Sequence, residues 1–318
     1  MATIETRESA KKQEGKFSMR DEYENSIFTR RKPDMNEFKD TVYPHNEIAN
    51  DVKELQRIQS GFTESINSKA ARHLELIAGR NSDKTTDQWL GKNASVYETH
   101  DFDDVAHHID MVVEFHDETY GLVRLGIDVT TAHEEGDAAD RKRATIKKYA
   151  ENNWLFPVKY FKGTDEKGNA SLGKIEVPRA VVFIPTDFVE KYWNRLQALR
   201  DEISELNEKL DRLKSGEKIP FETESRVQNL LDTRMKQVKE YEGGGLAGLG
   251  FAKIIFEQII KNLENLLLSA KKKDYREAIE KTLACVKKAY SEKKKDIEEL
   301  ENKINPPQIK KAPRSRKK

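Results

Sequence analysis

The sequence predicts an α/β protein with a mixed central sheet flanked by helices, followed by a coiled-coil and helical C-terminal half. Three observations carry this expectation. Short apolar, β-branched runs are confined to residues 107–184. A charged helical pattern of crossover length, Asp137 to Asn153, interrupts those runs. From Asp187 onward apolar residues recur every three or four positions.

The first 45 residues are rich in Lys, Arg, Glu, Asp and Ser without a sustained period, and are expected to be a mobile arm. From Asn46 the spacing of Ile48, Val52, Leu55 and Ile58 predicts a helix. A second helix is predicted from Ile66, Ala70, Ala71, Leu74, Leu76 and Ile77, closing near Gly79 and carrying Glu75. His107 to Phe115 and Val123 to Thr131 read as adjacent strands about a turn at Tyr120-Gly121. Leu155 to Phe161 and Ala180 to Ile184 read as two more, and the helix before them implies at least one parallel pair.

In the second half, Val189, Tyr192, Leu196, Leu199, Ile203, Leu206, Leu210 and Leu213 form a heptad seam. Its cover is either an internal hairpin with Val227, Leu231, Met235 and Val238 or a second copy of the chain through residues 189–213. Apolar faces follow at 251–270 and 276–303, then a basic tail from Lys310. The expected organisation is therefore an arm (1–45), an α/β domain (46–186), a helical hairpin (187–242), a helical segment (243–305) and a tail (306–318).

Composition limits function weakly. The 57 basic and 56 acidic residues nearly cancel, so net charge does not argue for nucleic acid. One cysteine, Cys285, excludes an internal disulfide. No uncharged apolar run is long enough to span a membrane, and the N-terminus has no apolar signal core; a cytoplasmic location is expected. The glycine-rich segment 243–253 lacks the Gly-Lys-Ser/Thr ending of a phosphate loop, so a hinge or tight helix packing is expected there. His107, His108 and His116 lack a matching ligand cluster for zinc.

The informative residues are two acids inside apolar strand runs, Asp110 in HHIDMVVEF and Asp128 in LGIDVTT. A hairpin at Tyr120-Gly121 brings them near one another on the same face, where paired carboxylates repel unless a cation lies between them. Metal-assisted phosphodiester hydrolysis needs such hard oxygen ligands and a positive group to stabilise the developing charge.

Together with Glu75 in AARHLELIAG, this ordered set of acids resembles the PD-(D/E)xK nuclease superfamily over about 120 residues, from Lys69 to Pro185. The resemblance implies a restriction-endonuclease-like fold, Mg²⁺ or Mn²⁺ held by Asp110, Asp128 and Glu75, and DNA or RNA as substrate. Thr130 stands where the family has lysine, positioning water or staying passive. The resemblance assigns the missing charge to the following helix, where Lys142 or Arg143 lies one turn before Ile146 and Lys147 is less well phased. The alternative expectation is a catalytically inactive nuclease-fold protein that acts through its coiled coil as a scaffold.

Overall fold

The computed structural model describes residues 32–61, 90–91, 93–131, 136–243 and 246–304. After a 3-10 turn at Met35–Phe38 come α1 (His45–Gln59), β1 (Ala94–Glu98), α2 (Asp101–His107), β2 (Met111–Asp117), β3 (Gly121–Thr130) and α3 (Asp137–Asn152). Then follow β4 (Phe156–Thr164), β5 (Ala170–Val177), β6 (Arg179–Phe183), α4 (Thr186–Lys214), α5 (Glu224–Gly243), α6 (Leu246–Ser269) and α7 (Lys273–Ile304).

A four-stranded mixed sheet has the order β1-β2-β3-β6, and β4-β5 forms a separate two-stranded sheet. The meander β1-β2-β3 is antiparallel, with Met111 opposite Ile127, whereas β3 and β6 run parallel, with Asp128 opposite Val181. The turn between β2 and β3 is held by the Asp117 carboxylate, which accepts from the Thr119 and Tyr120 amides, and Gly121 supplies a positive φ of 71°. Gly126 is needed for a different reason. A Cβ there would lie 3.0 Å from Val177 Cγ2 and 3.2 Å from Ile109 Cδ1, so any side chain would force Val177 and Ile109 to give way by a few tenths of an ångström.

Two strands and a short helix depart from the expected order. β1 and β5 were not expected, and neither is strongly apolar; β5 alternates exposed and half-covered residues. His107 ends α2 and His108 follows in the left-handed region at φ 54°, so neither lies in a strand. Asp110 accordingly precedes β2 and is not mid-strand. Part of the expected arm is also packed, since Met35 and Phe38 are buried with Ile48, Phe102 and Tyr160. The predicted helix carrying Glu75 lies outside the described residues.

The apolar faces of α6 and α7 share one core with the sheet. Phe251, Ile255, Phe256, Ile259, Ile279 and Val286 join Val112, Leu125, Val181 and Val182 in a continuous cluster. Packing alone would leave the β6 edge with unpaired backbone groups. Gln258 closes it: its side-chain oxygen accepts from the Phe183 amide at 2.7 Å and its amide donates to the Phe183 carbonyl at 2.7 Å. Asn262 donates to the Val181 carbonyl at 3.2 Å. The seam on α4 is covered within the chain, where Leu210 packs with Val227 and Leu231 of α5 and with Ile203, Leu206 and Leu213.

Replacing Gln258 by Leu keeps the volume but strands one backbone donor and one acceptor. The expected loss is about 1–3 kcal/mol of unfolding free energy in urea titration, whereas a surface control such as Gln228→Leu changes it by less than about 0.5 kcal/mol.

Candidate functional site

The site is built where β2 begins and β3 ends. Asp128 is almost wholly buried, and an isolated carboxylate there would be costly. Two cations neutralise it. Lys142 of α3 donates to Oδ1 at 2.6 Å, and Arg179, the first residue of β6, pairs with Oδ2. The Arg179 guanidinium is itself buried and lies over the Phe156 ring at 5.0 Å, which covers a face that water would otherwise hydrate. Its Nε and Nη1 have no hydrogen-bond partner among the described residues.

Asp110 is fixed against the same strand. Its amide donates to the Ile127 carbonyl at 3.0 Å, and its Oδ2 accepts from the Val129 amide at 2.5 Å. Asp104 of α2 completes a cluster of three acids by hydrogen bonding to Asp110. Burial pushes the Asp104 carboxyl pKa up. Asp101 and Asp128 add to the rise, while Lys32 and the bond to Asp110 oppose it. His108 stands at the rim, where loss of hydration and the Arg179 cation push its imidazole pKa down.

α2 is anchored by a second buried acid. Asp103 accepts from the Lys159 amide at 2.6 Å and the Tyr160 amide at 2.8 Å, and contacts His107 Nδ1 at 2.8 Å. These bonds tie α2 to β4 and so fix where Asp104, one residue on, can stand.

The structure thus brings together Asp110, Asp128 and Lys142 from the sequence-derived set and separates the two candidate cations on α3. Arg143 turns away, lying over the Phe183 ring at 5.3 Å and within 3.6 Å of Asp140. Lys147 is exposed, 3.9 Å from Glu151. Thr130 shares the face of Asp128 two residues on, and its carbonyl accepts from the Ile184 amide. Asp104, His108 and Arg179 were missed as members of this site. Among the described residues, no group of three or more His, Cys, Asp or Glu side chains is disposed to hold a metal ion, and no helix is long and apolar enough to cross a membrane. The chain matches no family model, no curated protein and no solved structure.

Asp128→Ala leaves Arg179 buried and unpaired and should cost about 3–5 kcal/mol, whereas Asp128→Leu with Arg179→Met should recover much of that loss in a urea-unfolding double-mutant cycle. Because the folded pKa of Asp104 is raised, the folded state binds its proton more tightly than the unfolded chain does. Its contribution to stability is complete below the unfolded value and is lost as pH rises through the folded one. Asp104→Asn should therefore be more stable than the parent at pH 7, with the difference closing as pH falls below the ordinary aspartate value of about 4. Equal differences at both pH values would contradict this assignment.

Proposed function

We propose that the chain is a metal-dependent nuclease of the PD-(D/E)xK type that hydrolyses phosphodiester bonds in nucleic acid. The observation that carries the reading is the 2.6 Å contact between Lys142 Nζ and Asp128 Oδ1, because it supplies from α3 the ammonium that Thr130 cannot. It is supported by Asp110, which precedes β2 and accepts through Oδ2 from the Val129 amide next to Asp128, and by the parallel return of the chain at β6.

The donor chemistry suits a hard divalent cation, Mg²⁺ or Mn²⁺, since the neighbouring ligands are carboxylate oxygens. Asp110 and Asp104 would hold it, with Asp128 contributing where the ion competes with Lys142 for Oδ1. When bound, such an ion supplies charge neutralisation at the scissile phosphate. Arg179 pairs with Asp128 and holds one of its oxygens fixed. Lys142 places a positive charge where the transferred phosphoryl group becomes more negative. The Val129 amide orients Asp110, and the apolar walls of β2 and β3 limit water around the cluster.

The test is a cleavage assay on pooled single- and double-stranded DNA and RNA with Mg²⁺ or Mn²⁺, beside calorimetric titration of each metal. Asp110→Asn keeps the side-chain shape and the bond from the Val129 amide, and should abolish metal binding and cleavage together in a protein that still melts cooperatively. Lys142→Ala should slow cleavage by about 100-fold or more while metal still binds. A folded parent protein that neither binds metal nor cleaves would overturn the reading.

One observation favours a second reading, a nuclease-fold protein without catalysis: both Asp128 oxygens are already taken by cations. The α4-α5 hairpin would then carry the interaction through its exposed Leu230 and Met235. Polar substitution at those two positions would remove a partner while leaving the fold unchanged, a test that buried Leu199 does not allow.

A further inference from the structure

A surface at the far end of α3 combines an exposed aromatic ring with a group of exposed cations. Trp154 is 53% exposed, immediately after the left-handed Asn153 that closes the helix. The Asn153 side-chain oxygen accepts from the Lys271 amide at 2.7 Å and the Lys272 amide at 2.8 Å, which pins the α6-α7 connection beside Trp154. Lys148, Lys271, Lys272 and Lys273 are all exposed, and none forms an ion pair among the described residues. The acids nearby in sequence are exposed Asp274, exposed Glu277, which feels the Lys273 charge but pairs with Lys281 at 2.7 Å, and Glu151, 3.9 Å from Lys147.

The ring also has a rigid backing that leads to the acidic site. Trp154 meets Tyr149 edge-on at 6.0 Å, Tyr149 stacks on Phe156 at 3.9 Å, and Phe156 lies beneath Arg179, the partner of Asp128. Lys142 and Tyr149 are seven residues apart, two helical turns along one stripe. From Lys142 to the end of α3 is about 15 Å, roughly four nucleotides at the 3.4 Å spacing of stacked bases along one strand.

We infer that Trp154 with Lys148 and Lys271 to Lys273 is a second nucleic-acid subsite, which takes a single-stranded segment about four nucleotides from the phosphate at Asp110 and Asp128. Placement of the strand's other end rests on the nuclease reading, whereas the subsite's own chemistry does not. An unpaired base stacks on an exposed indole, and the lysines neutralise phosphates on either side of it. Charge complementarity selects the occupant: an acidic or apolar protein surface would leave either the ring or the lysines without use, whereas a single strand engages both. A base-paired duplex offers no free face to the ring.

The experiment measures fluorescence anisotropy of labelled 12-nucleotide single-stranded DNA, single-stranded RNA and duplex DNA with the full chain in EDTA, so that cleavage cannot interfere. The expected result is tighter binding of at least one single strand than of duplex. Trp154→Ala should weaken that binding about tenfold or more, with Trp154→Phe restoring most of it. Lys271→Glu/Lys272→Glu/Lys273→Glu should weaken binding and flatten the dependence on salt, by about 0.7 in the log–log slope for each phosphate no longer neutralised. Both sets of changes are on the surface, and matched thermal melting confirms that each variant folds. Single-strand binding that ignores both variants, a preference for duplex, or no binding at all would overturn the subsite. Asp110→Asn, which leaves the Asp128 ion pairs in place, separates the two ideas. If it abolishes cleavage but leaves binding and its Trp154 dependence intact, both readings stand; Trp154-dependent binding by a parent protein that never cleaves sustains the subsite alone.

Discussion

The structure depends on one buried carboxylate. Asp128 lies inside an apolar strand where an unneutralised charge would be intolerable, and its two oxygens are satisfied from opposite directions by α3 and by β6. That requirement constrains the topology as well as the site. A helix must return over β3 with Lys142 at one particular phase, and the strand beginning at Arg179 must lie beside β3 in parallel. Hydrophobic packing of the same elements would tolerate several registers, whereas a carboxylate with two fixed partners tolerates only those in which both cations reach it.

Around that pair the remaining acids are held by different means, and the difference bears on chemistry. Asp110 is oriented by a backbone amide and Asp103 by two, so their positions follow from the strands themselves. Asp104 holds its proton more tightly than usual chiefly because burial strips its carboxyl of water, with Asp101 and Asp128 adding to the rise. That raised proton affinity costs the folded state stability at neutral pH, a cost partly offset by Lys32, whose Nζ lies 3.8 Å from the Asp104 carboxylate.

Much of this was legible before the structure. Asp110 and Asp128 stood out because they interrupt apolar runs, and helical phase placed Lys142 and Arg143 above the sheet. Phase alone could not choose between them, because the decision lies in where the Phe183 ring draws the longer guanidinium. β1 and β5 were obscure because short, half-exposed strands carry little apolar signal. Arg179 was hidden by its position after Pro178, where a charged residue reads as loop, and only the buried carboxylate opposite explains it. Asp104 lay in a seven-residue helix too short for periodicity to reveal, although its acid-rich first turn was a usable sign.

Periodicity hid the role of the C-terminal half in a similar way. An amphipathic stripe reports that a helix has a partner but not which one, so α6 and α7 looked like a separate segment. The polar residues on α6 hold the missing information. Gln258 and Asn262 interrupt an otherwise apolar face because they complete the hydrogen bonding of β6, the strand that delivers Arg179 to Asp128. The α6-α7 connection is in turn bonded to Asn153 at the end of the helix that delivers Lys142. Both cations of the buried pair are thus carried on elements that the C-terminal helices hold in place. A helical half that fixes the geometry of the site cannot be exchanged or removed as an independent module, and any strand that contacts its lysines is positioned relative to the acids through that same framework.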